Sequence, residues 1–173
     1  SEGAKKEGVQ PIIGTLLCVA RPGVDQLILD WLALYAQDEK GYDNLCALVS
    51  AAHLDRPVHE DAHVPLEALE GRTESLICLT AGGEGALGRL LAEGQKAAAD
   101  AYADRLEQLF PGRLYIELIR RENEIEQQAE AGLLDLAYAR GLPLVATNPA
   151  CFTKPDFHAA HDAMLCIANS AYV

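Results

Sequence analysis

The feature of this sequence that most constrains its fold is the alternation of short, continuous apolar runs with longer stretches in which apolar residues recur at helical spacing. Strand-length runs separated by amphipathic segments are typical of α/β domains. The runs predict strands at about residues 11–20, 27–36, 75–80, 113–119 and 143–147. Strands joined through helices usually pair in parallel, so we expect a mainly parallel sheet whose ligand site lies at the carboxyl ends of the strands.

Helical spacing predicts the elements between these strands. Helices are expected at about residues 38–53, 95–110 and 124–140, with a short one from Pro65 to Gly71 and a final one after Pro155. Asp38 and Glu39 favour the beginning of the first helix, and Gly141 favours the end of the third. Residues 54–63 are polar and lack periodicity, which predicts a surface loop.

Length and composition indicate one globular domain over residues 1–173. No apolar run approaches the roughly 20 residues that a membrane helix needs, and no secretory signal is recognisable, so a cytoplasmic protein without membrane contact is expected. The formal net charge is −12. An acidic surface repels phosphate backbones, so the chain alone is expected to bind nucleic acid poorly.

The five cysteines are widely spaced, odd in number and mostly flanked by apolar residues. No Cys-x-x-Cys pair occurs to support a zinc site, and disulfides fit neither the spacing of the cysteines nor the expected compartment. Buried free thiols are therefore expected.

Six phrases in a fixed order carry a family resemblance. They are KKEGVQPIIG, AQDEKGYDNLCALVSAAH, LICLTAGGEGALGRLL, FPGRLYIELIRR, ARGLPLVATNPACF and HAAHDAMLCIA. Together they resemble the polymerase-and-histidinol-phosphatase (PHP) domain of bacterial DNA polymerase III alpha subunits. The resemblance implies part of a distorted (β/α)7 barrel with mainly parallel strands. The family's first βα portion, which carries a His-x-His metal motif, has no counterpart in this sequence, so a domain shortened at its N-terminus is expected.

The resemblance also implies a site at which His, Asp, Glu and Cys side chains hold divalent metals that activate water for attack on a phosphate. Several of those positions carry other residues here. Leu16 stands for a Glu, Trp31 for a His, Gly82 for a Cys and about Arg121 for a His, while Pro149 and Cys151 replace the Asp and His of an Asn-Asp-x-His-Phe segment. A degenerate site is therefore expected, with no catalytic residue, bound metal or cofactor.

Three residues remain as vestigial site candidates: Glu117, Cys151 and His161. Glu117 is expected either to pair with Arg120 or Arg121 or to reach solvent from the end of its strand, and the sequence leaves both open. Cys151 is expected to be a packed core thiol. His161 stands where the family usually has histidine, and it shares a helix face with His158. For this pair, helix packing is favoured over metal binding.

The glycines around Glu84 could present backbone N–H groups to a phosphate, but no Lys-Ser or Lys-Thr follows them, so a nucleotide site is not favoured. The leading hypothesis is a non-catalytic structural and protein-interaction domain of a polymerase alpha subunit. The implied partners are the remaining domains of that subunit and a proofreading exonuclease subunit, with DNA reached only through the parent nucleotidyltransferase. The alternatives are an active metal-dependent phosphoesterase or 3'-5' exonuclease and a stand-alone binding protein, and self-association through an exposed sheet edge stays open.

Overall fold

The computed structural model describes residues 2–121 and 123–172. Six strands lie at Gly14–Ala20 (β1), Leu29–Ala36 (β2), Val64–Pro65 (β3), Leu76–Leu79 (β4), Leu114–Ile119 (β5) and Leu144–Thr147 (β6). Six helices lie at Glu2–Lys6 (α1), Glu39–Leu54 (α2), Ala86–Ala92 (α3), Lys96–Leu109 (α4), Glu124–Arg140 (α5) and His158–Ala168 (α6). Short 3-10 turns cover Leu66–Leu69, Gly82–Glu84 and Pro155–Phe157.

The strands form one sheet in the order β3-β1-β2-β4-β5-β6. Three of the five neighbouring pairs are parallel: β1 with β3, β4 with β5, and β5 with β6. β2 is antiparallel to both of its neighbours. No helix separates β1 from β2, and strands joined by a short connection pair antiparallel. The α/β fold with a mostly parallel sheet is confirmed.

The predicted bounds agree with the observed ones to within about three residues, with one correction: in the helix predicted from Pro65 to Gly71, Pro65 belongs to β3 and only a 3-10 turn forms at Leu66–Leu69. The side chain of Asp38 accepts a hydrogen bond from the Gly41 N–H at 2.9 Å, which caps α2. Asn123 caps α5 in the same way, and Gly141, with a φ of 65°, ends it. The sequence patterns did not predict three of the observed elements: α1, α3 and the two-residue β3.

One face of the sheet carries the hydrophobic core. Leu17 and Leu32 face each other across β1 and β2, and Ile116 lies on the same face of β5. They pack against the apolar sides of the helices, including Leu48, Leu106, Phe110 and Leu133. The other face is only partly covered: Leu16 on β1 is 63% exposed, and Trp31 and Tyr35 on β2 are half-buried.

A buried ion cluster anchors the connection between β1 and β2. The carboxylate of Asp30 is 1% exposed and accepts hydrogen bonds from Arg21 Nε at 2.8 Å and Arg21 Nη2 at 2.9 Å. Arg89 of α3 donates a third at 3.1 Å. The cluster therefore ties the start of β2 to both the preceding loop and α3.

The end of the chain contributes nothing to this core. None of the residues of α6 is buried, and Met164 and Ile167 are 68% and 80% exposed. Among the described residues, no helix has the length and apolar character needed to cross a membrane.

Candidate functional site

The main candidate site is a cavity of about 500 Å³ at the carboxyl ends of β4, β5 and β6, on the partly covered face of the sheet. This is the location that the parallel strands predict. Its apolar wall consists of Leu16, Trp31, Ala33, Tyr35 and Ile119, and its polar wall includes Glu84, Glu117, Arg121, Thr147 and Asn148. The cavity thus joins two aromatic rings to a group of charged side chains.

Glu117 lies at the floor of the cavity and is 6% exposed. Its carboxylate accepts a hydrogen bond from the Ala81 N–H at 2.9 Å and another from the Thr147 hydroxyl at 2.5 Å. Neither sequence-based expectation for Glu117 was correct. Arg120 pairs instead with Glu130, Arg121 pairs with Glu84 and Glu126, and the Glu117 side chain is largely buried rather than extended into solvent.

The turn after β4 is held by this carboxylate. Ala81 adopts the left-handed conformation with a φ of 58°, which is uncommon for a residue with a side chain. The hydrogen bond from its N–H to Glu117 stabilises that conformation. At Gly85 a Cβ atom would lie 1.9 Å from the Thr80 carbonyl oxygen, so only glycine allows α3 to begin there.

Arg121 lies at the rim of the cavity, within an ion cluster. Its Nε and Nη2 donate to Glu126 at 2.9 Å and 2.6 Å, and Nη2 also donates to Glu84 at 3.1 Å. The Arg121 backbone N–H donates to the second oxygen of Glu126 at 2.9 Å. The hydrogen bonds to Glu126 are the main reason that the pKa of Arg121 is raised. The cluster fixes the end of β5 to the first turn of α5 and to the turn before α3.

The structure brings together most of the positions that the resemblance implies as replaced ligands. Leu16, Trp31, Arg121 and Pro149 all line the cavity that contains Glu117. Gly82 lies next to a residue of the cavity wall, since a Cβ atom at Gly82 would be 3.0 Å from the side chain of Ile119. Four of the positions inferred from the resemblance therefore lie around a single cavity.

Cys151 and His161, in contrast, do not line the cavity. The expectation that Cys151 is packed in the core was wrong: the residue is exposed, and its thiol lies 3.9 Å from the Pro149 carbonyl oxygen. The ring of His161 is half-buried, 5.6 Å from that of Phe152, and the ring of His158 lies 5.9 Å from the same phenyl group. Both histidines contact Phe152 rather than the charged wall.

The expectation that the cysteines are buried free thiols is correct for only two of the five. Cys18 and Cys78 are buried free thiols, whereas Cys46 and Cys151 are exposed and Cys166 is intermediate. Complete burial next to Glu117 raises the pKa of the Cys78 thiol far above its usual value, with loss of solvation as the main cause.

Sequence reasoning missed three parts of the site: Tyr35, Glu126 and the role of Glu84 in the ion cluster. The role of Glu126 could have been recognised from the sequence, because Glu126 stands three residues after the helix cap Asn123. At this spacing a carboxylate accepts hydrogen bonds from backbone N–H groups at the start of the helix. Tyr35 could not have been recognised in this way, since an aromatic residue in an apolar strand is normally core.

Comparison with known protein families matches residues 1–121 to the PHP domain. The chain belongs to the PHP domain family. This confirms the resemblance carried by the six phrases. Across the residues that the structure describes, no group of three or more His, Cys, Asp or Glu side chains is arranged to hold a metal ion.

Similar curated proteins extend the PHP assignment. The DNA polymerase III subunit alpha of Caulobacter vibrioides is 40% identical over 177 residues, which covers 100% of this chain and 16% of the relative. The DNA polymerase III subunit alpha of Rickettsia bellii is 36% identical, with 95% of this chain and 14% of the relative covered. An error-prone DNA polymerase of Symbiobacterium thermophilum is 34% identical, with 95% and 16% covered. The chain therefore spans a small part of the relatives that it matches.

Proposed function

We propose that residues 1–173 form the PHP domain of a replicative DNA polymerase III alpha subunit and act as a non-catalytic structural and protein-interaction domain. The supporting relatives are DNA polymerase III alpha subunits that match 95–100% of this chain. In this proposal, DNA synthesis belongs to other parts of the subunit, and the chain reaches DNA only through them. A net charge of −12 supports that division, because an acidic domain does not attract phosphate backbones.

The observation that carries the proposal is the identity of the side chains around the cavity. Leu16, Trp31 and Pro149 offer no side-chain donor that a divalent metal binds. The guanidinium of Arg121 stands between Glu84 and Glu126. With its backbone N–H, it occupies both oxygens of Glu126 and one oxygen of Glu84, so these oxygens are not free to bind a metal. These residues do not fit the metal cluster that phosphoester hydrolysis would need.

Two exposed segments are the proposed contact surfaces for the proofreading subunit and the neighbouring polymerase domains. The loop of residues 54–63 displays Leu54 and Val58, which are 79% and 96% exposed, beside several carboxylates. The end of the chain displays Phe157 and Met164, which are 53% and 68% exposed. Apolar anchors surrounded by polar side chains are typical of protein-interaction surfaces.

The catalytic part of the proposal is tested by metal analysis and a phosphodiesterase assay on the purified chain with Mn²⁺, Zn²⁺ and Mg²⁺. The expected result is less than stoichiometric metal and no metal-dependent turnover. A double variant, Glu84→Gln with Glu117→Gln, is the matched control, since hydrolysis that persists in it comes from a contaminant. Stoichiometric metal with turnover that the double variant loses would establish the alternative, an active phosphoesterase or exonuclease.

The interaction part is tested by pull-down of the proofreading subunit with the full-length polymerase. Charge reversal at Asp55, Glu60 and Asp61, and separately Phe157→Ala, are expected to weaken capture. The matched control reverses three exposed carboxylates elsewhere: Asp25, Glu67 and Glu74. Equal capture by the wild type and both test variants, with unchanged folding, would show that neither segment is the contact surface.

A further inference from the structure

The buried carboxylate of Glu117 lacks a balancing positive charge. It is 6% exposed, and its hydrogen bonds come from one backbone N–H and one hydroxyl, both neutral. Among the residues that the structure describes, no cationic group lies within 4.0 Å of it. A buried charge is costly unless a partner compensates it, and this one lines an open cavity.

The neighbouring cation does not fill that role. The guanidinium of Arg121 is matched by Glu126, whose side chain is 3% exposed, and by Glu84 at the cavity mouth. This side of the cavity therefore holds three carboxylates, Glu84, Glu117 and Glu126, and one guanidinium, which pairs with two of them and leaves the charged wall negative. Glu84 is half-exposed, and its second oxygen is not used by Arg121.

The opposite wall suits a cation on an apolar stem. Trp31 and Tyr35 line it together with Leu16 and Ile119. Aromatic faces attract cations, and arginine and lysine bury their methylene stems along apolar surface while the charged head meets a polar group. A hydrated metal ion has no apolar stem to bury along this wall, and a cavity of about 500 Å³ is far larger than an ion requires.

We propose that this cavity receives a basic side chain, arginine or lysine, from a protein partner. The inference rests on the proposed protein-interaction function, and it specifies the chemical type of one residue that the partner inserts. The head group lies against Glu84 and Glu117, and the stem lies against Trp31 and Tyr35. The acidic character of the whole chain, with its net charge of −12, attracts a basic segment of the partner.

Trp31 provides a direct measurement, because it is the only tryptophan in the chain and lies in the cavity wall. The probes are N-acetyl-arginine amide and N-acetyl-lysine amide, and N-acetyl-citrulline amide serves as the neutral analogue of nearly the same shape. A saturable change in Trp31 emission is expected with the two cationic probes and at least about threefold weaker binding with citrulline. No saturable change with either cation, or an equal response to citrulline, would overturn the proposal.

Two variants locate the binding. Glu84→Gln and Glu117→Gln are each expected to weaken arginine binding about threefold or more, while Glu67→Gln, which removes the same charge outside the cavity, leaves it unchanged. If Glu117→Gln fails to fold, Glu84→Gln carries the test, because Arg121 retains its pairing with Glu126. Equal weakening by Glu67→Gln would mean that overall charge, not the cavity, holds the probe. Emission changes with Mn²⁺ but not with arginine would also overturn the inference.

This experiment separates the two proposals. Capture of the proofreading subunit without arginine binding contradicts only the cavity inference. Arginine binding without any protein capture contradicts the interaction function.

Discussion

Replacing Asp30 by Ala should destabilise the fold strongly, because the change removes one partner from a buried ion cluster. Asp30 accepts three hydrogen bonds, at 2.8, 2.9 and 3.1 Å, from Arg21 and Arg89. The side chain of Arg21 is only 6% exposed. The hydrogen bonds to Asp30 are the main cause of a raised Arg21 pKa, and arginine cannot escape burial by losing its proton.

The size of the effect follows from what each arginine can do after the change. Breaking a buried pair by removing one partner costs about 3–5 kcal/mol. Arg89 is 30% exposed and can turn to water, and Glu93 lies 3.9 Å from Arg21 and offers partial compensation. We therefore expect a loss of about 3 kcal/mol, toward the lower end of the range. For a domain of this size that corresponds to a decrease in Tm of about 6–12 °C.

The measurement is urea unfolding followed by circular dichroism, with thermal unfolding as a second readout. Asp25→Ala is the matched control, since Asp25 is an exposed aspartate in the same connection between β1 and β2. It should change the free energy of unfolding by less than about 0.5 kcal/mol. Adding Arg21→Met to Asp30→Ala should recover about half of the loss, because the buried charge left behind is then removed.

A loss of less than about 1 kcal/mol for Asp30→Ala would refute this reasoning. It would mean that the cluster is solvated in solution and behaves like a surface salt bridge. Equal losses for the single and double variants would show that the cost comes from lost packing rather than from an uncompensated charge.

Three further predictions concern local features. Gly85→Ala should destabilise the chain by about 2 kcal/mol or more, because the added Cβ would lie 1.9 Å from a backbone carbonyl oxygen. The control is Gly3→Ala, where the added Cβ has nothing within 4 Å and the change should be nearly neutral in the same unfolding assay. The Gly41 N–H holds the pKa of Asp38 below its usual 3.8, so the stability that the ionised cap adds is present above about pH 4 and is lost at lower pH. The stability difference between wild type and Asp38→Asn should therefore shrink as pH falls from 6 to 3, and a constant difference would argue against the cap. Thiol titration of the native chain should modify Cys46 and Cys151 first, and the buried thiols only on unfolding; early reaction of the buried thiols would contradict the described core.

The sequence predicted the regular elements well where periodicity and end signals agree. For α5, the predicted and observed bounds both run from residue 124 to 140, because a capping asparagine precedes it and Gly141 ends it. β5 was predicted at 113–119 and is observed at Leu114–Ile119. α3 has only seven residues and follows a glycine-rich turn, so its apolar period is too short to establish bounds.

The site was predictable in position but not in detail. The resemblance placed Leu16, Trp31, Arg121 and Pro149 at ligand positions, and the fold gathers them around one cavity. The partner of Glu117 could not be predicted, because the relevant N–H belongs to Ala81, 36 residues earlier in the chain. Because nearly every residue has a backbone N–H, the sequence does not show which of them a carboxylate binds. The burial of Cys151 was predicted wrongly because its segment does not pack on the core. Both Cys151 and its apolar neighbour Phe152 are exposed.

The core of this chain is complete before its last helix begins. The buried apolar residues extend from Leu17 to Ala137, and α6 adds none. Substitutions in α6 therefore leave the free energy of unfolding almost unchanged, and folding places little restriction on which residues occupy that helix. Met164 and Ile167, both largely exposed, can be replaced without loss of core packing. Folding therefore constrains the side chains of the sheet and its packed helices far more than those of α6.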